Sequence, residues 1–272
     1  MAPCESFAPL EMPPSAQCDR GLIVTRRADV HPKDVMSPYV AELWRYPVKS
    51  LAGERVSTTA LWPVGIPGDR IVRVRGPESV RTARRHHRLL GLHGTLDADG
   101  APAIDGHRWD SAEALDLVKK AAGADAWLEA WKGLDRFDIL PLLVATDGAV
   151  AAFGRDVRRL RPNIVIGDVD GLSEREWPGA ELHIGGAIIR LDSLRSRCHM
   201  TTIDPDTLQV NPDVLRDIVR RFANKLGLNA DIIRGGVVRV GDAVRLAPAI
   251  GGSRALGREQ FAADVFDGAL HR

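Results

Sequence analysis

From Tyr39 to Leu246 the chain is written in short alternating runs cut by glycine and proline, which restricts it to folds built from many short strands. Arg70–Gly76 (RIVRVRG) sets apolar residues against arginines with a period of two, the mark of a strand buried on one face. Arg55–Leu61 alternates in the same way, and Tyr39–Tyr46 carries apolar Val40, Leu43 and Trp44. Beyond Pro162 the runs Asn163–Ile166, Glu181–Ile184, Ala187–Leu191, Ile232–Arg234, Val237–Val240 and Ala243–Leu246 predict further strands. Gly185-Gly186 and Gly235-Gly236 predict hairpin turns. Three helices interrupt the strands. One is capped by Asp110 or Ser111, carries Glu113 in its first turn and stops at Gly123. A second starts near Asp147 and ends before Arg161. The third runs from about Asp213 to Leu226, with Val214, Ile218, Val219 and Phe222 on one face. With 26 glycines and 17 prolines, turns outweigh long helices. The fold class expected is α+β, mostly β: a β-barrel domain with an N-terminal β-rich subdomain and a few helices.

Charge and cysteine content remove several functions. Lysine plus arginine number 37 against 36 acids, a net charge of +1. A nucleic-acid binder needs a surplus of cations to displace counterions, so none is expected, although one basic pocket is compatible with this balance. Cys4, Cys18 and Cys198 form no CxxC pair, no disulfide framework and no iron–sulfur ligand set. A cytoplasmic location and the absence of a membrane span are expected, since the longest strongly apolar stretch is Leu140–Ala145. Residues 1–37 hold scattered prolines without periodicity and are expected to be a flexible extension, with Met36 as an alternative start. The remaining organisation reads as 38–145, an N-terminal barrel-like region; 146–250, a second domain; and 251–272, a weakly patterned tail.

Four segments concentrate chemistry. Cys198 lies in SRCHMTTIDPDT, flanked by Arg195, Arg197 and His199 and followed by hydroxyls and the carboxylates Asp204 and Asp206. A lone cysteine is more often a small buried hydrophobe, but cations on both sides favour a reactive or metal-binding thiolate. Lys49 and Ser50 end the first strand in YPVKS, offering one point charge and one hydroxyl to an anion, or else a solvated turn. Arg81–Arg88 (RTARRHHR) is a basic run. It is either a solvated face or the source of one arginine turned inward to hold a phosphate. In RPNIVI, Asn163 is a turn residue or an amide presented to a heterocycle.

Together YPVKS, Gly68-Asp69-Arg70, Thr82-Ala83-Arg84, RPNIVI and SRCHMTTIDPDT resemble the MOSC family, the molybdenum-cofactor sulfurase C-terminal domain proteins, over roughly residues 38–248. Within that family the chain resembles the amidoxime-reducing components. The resemblance implies a molybdenum–pterin cofactor, with Cys198 as the metal's protein ligand. It implies Lys49, Ser50 and Arg84 as phosphate and pterin contacts, and Arg161, Asn163 and Ser196 as further cofactor contacts. His199 and Asp204 become candidate acids because they lie beside the ligand. A family-level association with pyridoxal phosphate also follows.

The activity so implied is reduction of small N-hydroxylated compounds, amidoximes or hydroxylamines. This chain carries no flavin, nicotinamide or iron–sulfur fingerprint, so its electrons are expected from a separate ferredoxin-like or cytochrome b5-like protein. The alternative implied function is a carrier of sulfur or molybdenum cofactor, with a persulfide on Cys198.

Overall fold

The structure, a computed structural model, describes residues 37–131 and 133–248. The expected N-terminal extension and C-terminal tail lie outside these residues. The described strands are β1 (Tyr39–Arg45), β2 (Glu54–Val56), β3 (Thr58–Leu61), β4 (Val72–Arg75), β5 (Val80–Arg81), β6 (Gly94–Leu96), β7 (Pro102–Ile104), β8 (His107–Arg108), β9 (Trp127–Ala130), β10 (Leu142–Thr146), β11 (Ile164–Gly167), β12 (Glu181–Ile184), β13 (Ala187–Ser196), β14 (Lys225–Arg234), β15 (Gly236–Arg239) and β16 (Val244–Ala247). The helices are α1 (Ala112–Ala122), α2 (Asp147–Phe153) and α3 (Asp213–Phe222). The protein is therefore α+β and mostly β, as its alternating runs predict.

Eight strands form one sheet in the order β16-β12-β13-β14-β10-β11-β1-β2, and the others make small sheets of two or three strands. The β10–β11 pair is parallel, its crossover made by α2, while the sheet's other pairings are antiparallel. Three apolar clusters hold the elements. The main sheet buries Leu43, Val144, Ile164, Leu191 and Leu228. A second cluster joins Val48, Leu51, Val72 and Leu89 to α1. A third packs α2 against α3 through Phe153, Ile218 and Phe222.

Some boundaries fall where expected, and others depart for local reasons. The Ser111 hydroxyl caps α1 by accepting from the Ala114 N–H at 3.2 Å, and Gly123 ends the helix at φ +114°. The second helix stops at Gly154, in the left-handed region, and a separate turn of 3-10 helix covers Val157–Arg159. The third ends at Phe222, because Ala223 and Asn224 take positive φ; strand β14 begins at Lys225, well before the expected Ile232. Val219 is 51% exposed and not part of the buried face, since the inward residues Val214, Ile218 and Phe222 recur every fourth position. Arg55–Leu61 is broken at Ser57 into two strands. Gly185-Gly186 does close a two-residue hairpin. Gly235-Gly236 does not: β15 leaves β14 to pair with β3. The Gly235 backbone passes so close to the Leu61 carbonyl that a Cβ would sit 2.6 Å from its oxygen.

Candidate functional site

The Tyr46–Ser50 segment leaves β1 and is pinned to β4. Lys49 N–H donates to the Val72 carbonyl at 2.8 Å, and Val48 is fully buried. Ser50 follows at φ +76°, which turns the chain and brings Lys49 and Ser50 to the wall of a cavity of about 340 Å³. The opposite wall is the end of β13. Irregular pairing with β14 near Ser193 and Ser196 carries Arg195, Ser196, Arg197 and Cys198 to the same cavity. Cys198 is half-exposed and opens the 3-10 turn His199–Thr202, its carbonyl accepting from Thr201 N–H at 3.1 Å and Thr201 Oγ1 at 2.9 Å.

Charge distinguishes this cavity. Among the described residues lining it are nine cationic side chains and two carboxylates, Asp135 and Asp138. Asp138 holds three of the cations: Lys49 at 3.1 Å, Arg84 at 3.3 Å and Arg195 at 3.1 Å. Burial alone would raise the Asp138 carboxyl, but those three cations outweigh it and hold it below the ordinary carboxylate value. A carboxyl depressed in the folded state contributes stability that is present above the unfolded value, about 4, and is lost as pH falls through the lower folded value. Asp138→Asn should therefore make thermal stability fall less steeply below about pH 4. An acid limb identical in the two proteins would remove Asp138 from this role.

Two other cavity cations, Arg161 and Arg197, form no ion pair among the described residues. Arg161, at φ +56°, stacks its guanidinium 4.2 Å from the Tyr46 ring centre. Arg197 donates to the Leu160 carbonyl at 2.7 Å, and its Nε is buried without a hydrogen-bond partner. Burial pushes both guanidiniums down to about 10. Arg195 and Arg197 also lie within electrostatic range of Cys198. Two desolvated guanidiniums in the cavity that also holds Cys198, one of them with an unpartnered Nε, suit an anionic ligand that supplies acceptors.

Cys198, Lys49, Ser50, Arg84, Arg161, Asn163 and Ser196 all line this cavity. Asn163 is also a strut of the fold. Its Oδ1 accepts from Leu143 N–H at 3.2 Å, and its Nδ2 donates to the Trp44 carbonyl at 3.4 Å, so the amide has little left for a heterocycle. His199 and Asp204 are not among the lining residues. His199 Nε2 contacts the Arg84 carbonyl, tying the cysteine turn to the basic run. Asp204 pairs with Arg159 at 2.7 Å and accepts from the Asp206 and Thr207 backbone N–H groups at 3.1 and 2.9 Å. Those backbone hydrogen bonds, with the Thr207 hydroxyl and Arg159, lower its carboxyl, which disfavours it as a proton donor.

Sequence reasoning gave no role to Asp138, Asp69 or Arg70. Asp69 is fully buried; its Oδ1 accepts from Tyr46 N–H at 2.7 Å, its Oδ2 pairs with Arg70, and Asn163 Nδ2 lies 3.5 Å away. It thus aims Arg70 into the cavity. The pair stands inside the Gly68-Asp69-Arg70 motif, which was the available signal; Asp138 sits alone in a loop with none.

Models of two domain families match this sequence. The MOSC N-terminal beta barrel domain covers residues 37–152, and the MOSC domain covers residues 147–245. The chain belongs to the MOSC family. In this MOSC protein, Lys49, Ser50, Arg70 and Arg84 come from the first matched segment, and Arg161, Arg197 and Cys198 from the second. Mitochondrial amidoxime reducing component 2 of Homo sapiens and of Macaca fascicularis are each 34% identical over 76 residues, 26% of this chain. That match spans 22% of the length of either relative. Among solved structures, the YUAD protein from Bacillus subtilis is 13% identical with a TM-score of 0.45, covering 78% of this chain and 97% of that one. No helix among the described residues is long and apolar enough to cross a membrane.

Proposed function

We propose that this MOSC protein is a molybdenum–pterin oxidoreductase that reduces small N-hydroxylated compounds, amidoximes or hydroxylamines, with electrons from a separate donor protein. The observation that carries the reading is a half-exposed cysteine at a cavity whose lining cations exceed their carboxylate partners. The residues fit such a cofactor. Its phosphate would find Lys49, Arg84 and Arg70, and Arg161 and Arg197 have donors to spare for polar pterin edges. Cys198 would be the soft protein ligand of the metal. Pyridoxal phosphate is not part of this reading.

When bound, the cofactor supplies the two-electron chemistry that takes oxygen from nitrogen. Overall, R–NHOH, two electrons and two protons give R–NH2 and water. The chain's own residues bind and orient. Asp138 keeps three cations converged, Asp69 fixes Arg70, and the Arg159–Asp204 pair anchors the loop that follows Cys198. Since Cys198 is half-exposed, protons reach the site from solvent.

Lys49→Ala and Arg84→Ala should each retain less molybdenum and pterin than the wild type while keeping its circular dichroism. A charge-assisted contact of about 1.5–3 kcal/mol corresponds to roughly ten- to a hundredfold weaker binding. Undiminished occupancy in both variants would place these residues outside the binding site. A labile persulfide on Cys198, with no turnover, would point to the carrier function instead.

A further inference from the structure

The basic run Arg81–Arg88 is only partly used by the fold and the cavity. Its buried residue, Ala83, packs in the α1 cluster with the adjoining Leu89 and Leu90. Arg81 turns inward to the Ala122 carbonyl and pairs with Asp125 at 2.5 Å. Arg84 pairs with Asp138 in the cavity wall. Arg85, His87 and Arg88 remain exposed, and no ion pair engages Arg85 or Arg88 among the described residues. Of the carboxylates close to the run, Asp125 and Asp138 are already spent on Arg81 and on the cavity cations, while Glu78 shares a shallow surface pocket with Arg85 without forming an ion pair with it. The contact between His199 and the Arg84 carbonyl fixes this run beside the turn that begins at Cys198. A surface with two arginines outside any ion pair thus stands next to the candidate site.

We infer that Arg85, His87 and Arg88 form the docking surface for an acidic electron-carrier protein that delivers electrons to the cavity. The inference rests on the oxidoreductase reading, which requires electrons from outside the chain. Two encounters balance the reaction: two reduced one-electron carriers, two protons and R–NHOH give two oxidised carriers, R–NH2 and water. A carrier must dock, discharge and leave to be reduced again. A charged surface suits such a contact, because it steers encounter without holding the product complex. Arg85, His87 and Arg88 offer no apolar side chain of the kind that an interfacial segment inserts into a membrane. The few cations involved, in a chain of net charge +1, argue against nucleic acid.

The test uses the full-length holoprotein, its Arg85→Glu/Arg88→Glu variant and an acidic two-iron ferredoxin as probe. Binding is measured by surface plasmon resonance at low and raised ionic strength, with turnover of an amidoxime measured in parallel using reduced methyl viologen, a dye that needs no docking. The wild type should bind the ferredoxin more weakly as salt rises. The variant should bind at least about tenfold more weakly at low salt. Dye-driven turnover should be equal in both proteins, since neither arginine lines the cavity. Equal ferredoxin binding by variant and wild type, or no binding by the wild type at low salt, overturns the docking surface. So does a charge reversal that abolishes binding to anionic vesicles or duplex DNA while leaving ferredoxin binding intact. Failure of dye-driven turnover in the wild type would overturn the oxidoreductase reading, and the binding comparison would still decide whether the basic surface recognises an acidic carrier.

Discussion

Cys198→Ser should abolish reduction of N-hydroxylated substrates, while Cys4→Ser and Cys18→Ser should leave it unchanged. Serine is nearly isosteric with cysteine, and the backbone that positions residue 198 uses its carbonyl rather than its side chain: that carbonyl accepts from Thr201 N–H and Thr201 Oγ1. Folding should therefore survive. The hydroxyl is a harder and far less acidic ligand than a thiol, so it should not take the thiolate's place on a metal already held by sulfur. Since Lys49, Arg70 and Arg84 would still hold the phosphate, some pterin should remain in the inactive protein. Rates and pterin content measured on the same preparations separate ligation from cofactor binding. Turnover at the wild-type rate in Cys198→Ser would sink the ligand assignment.

Asp69→Ala should produce the largest loss of stability. The Asp69 carboxylate is fully buried and serves the Tyr46 N–H, the Arg70 guanidinium and the Asn163 amide. Truncation leaves a guanidinium unpaired and a buried N–H without an acceptor. Breaking a buried ion pair from one side costs about 3–5 kcal/mol, a large part of the 5–15 kcal/mol typical of a folded protein. Chemical denaturation should show the midpoint falling sharply, and cofactor content should fall with it because Arg70 loses its orientation. A midpoint within experimental error of the wild type would mean that Asp69 is not the keystone of this wall.

Much of the fold was legible where side chains alternate and turns carry glycine. Val72–Arg75 alternates buried and half-buried residues as its arginines imply, and the Ser111 cap and Gly123 stop bound α1 as read. Strand β14 was read only from Ile232, and its first two residues were given to the third helix because Leu226 continues the four-residue spacing of Val214, Ile218 and Phe222. The break is made by Ala223 and Asn224 in left-handed conformations, without a glycine or proline to announce it. Strand β13 ran on past Leu191 because its polar end, Asp192 to Ser196, pairs irregularly with β14, a tertiary effect absent from local pattern. In the site, residues beside Cys198 and in YPVKS converge on one cavity. The carboxylates that organise their charges escaped notice, since an isolated aspartate gains meaning only when folding brings cations to it from Lys49, Arg84 and Arg195.

The central claim is that the cationic cavity holds a molybdenum–pterin cofactor ligated by Cys198. It is tested most directly by elemental and pterin analysis of protein freshly purified from a molybdenum-replete, cofactor-producing host. The account predicts molybdenum and pterin in equal amounts, stoichiometric with the chain, and a Cys198→Ser protein whose molybdenum environment, read by X-ray absorption, has lost one sulfur neighbour. Wild-type protein free of both molybdenum and pterin would contradict it.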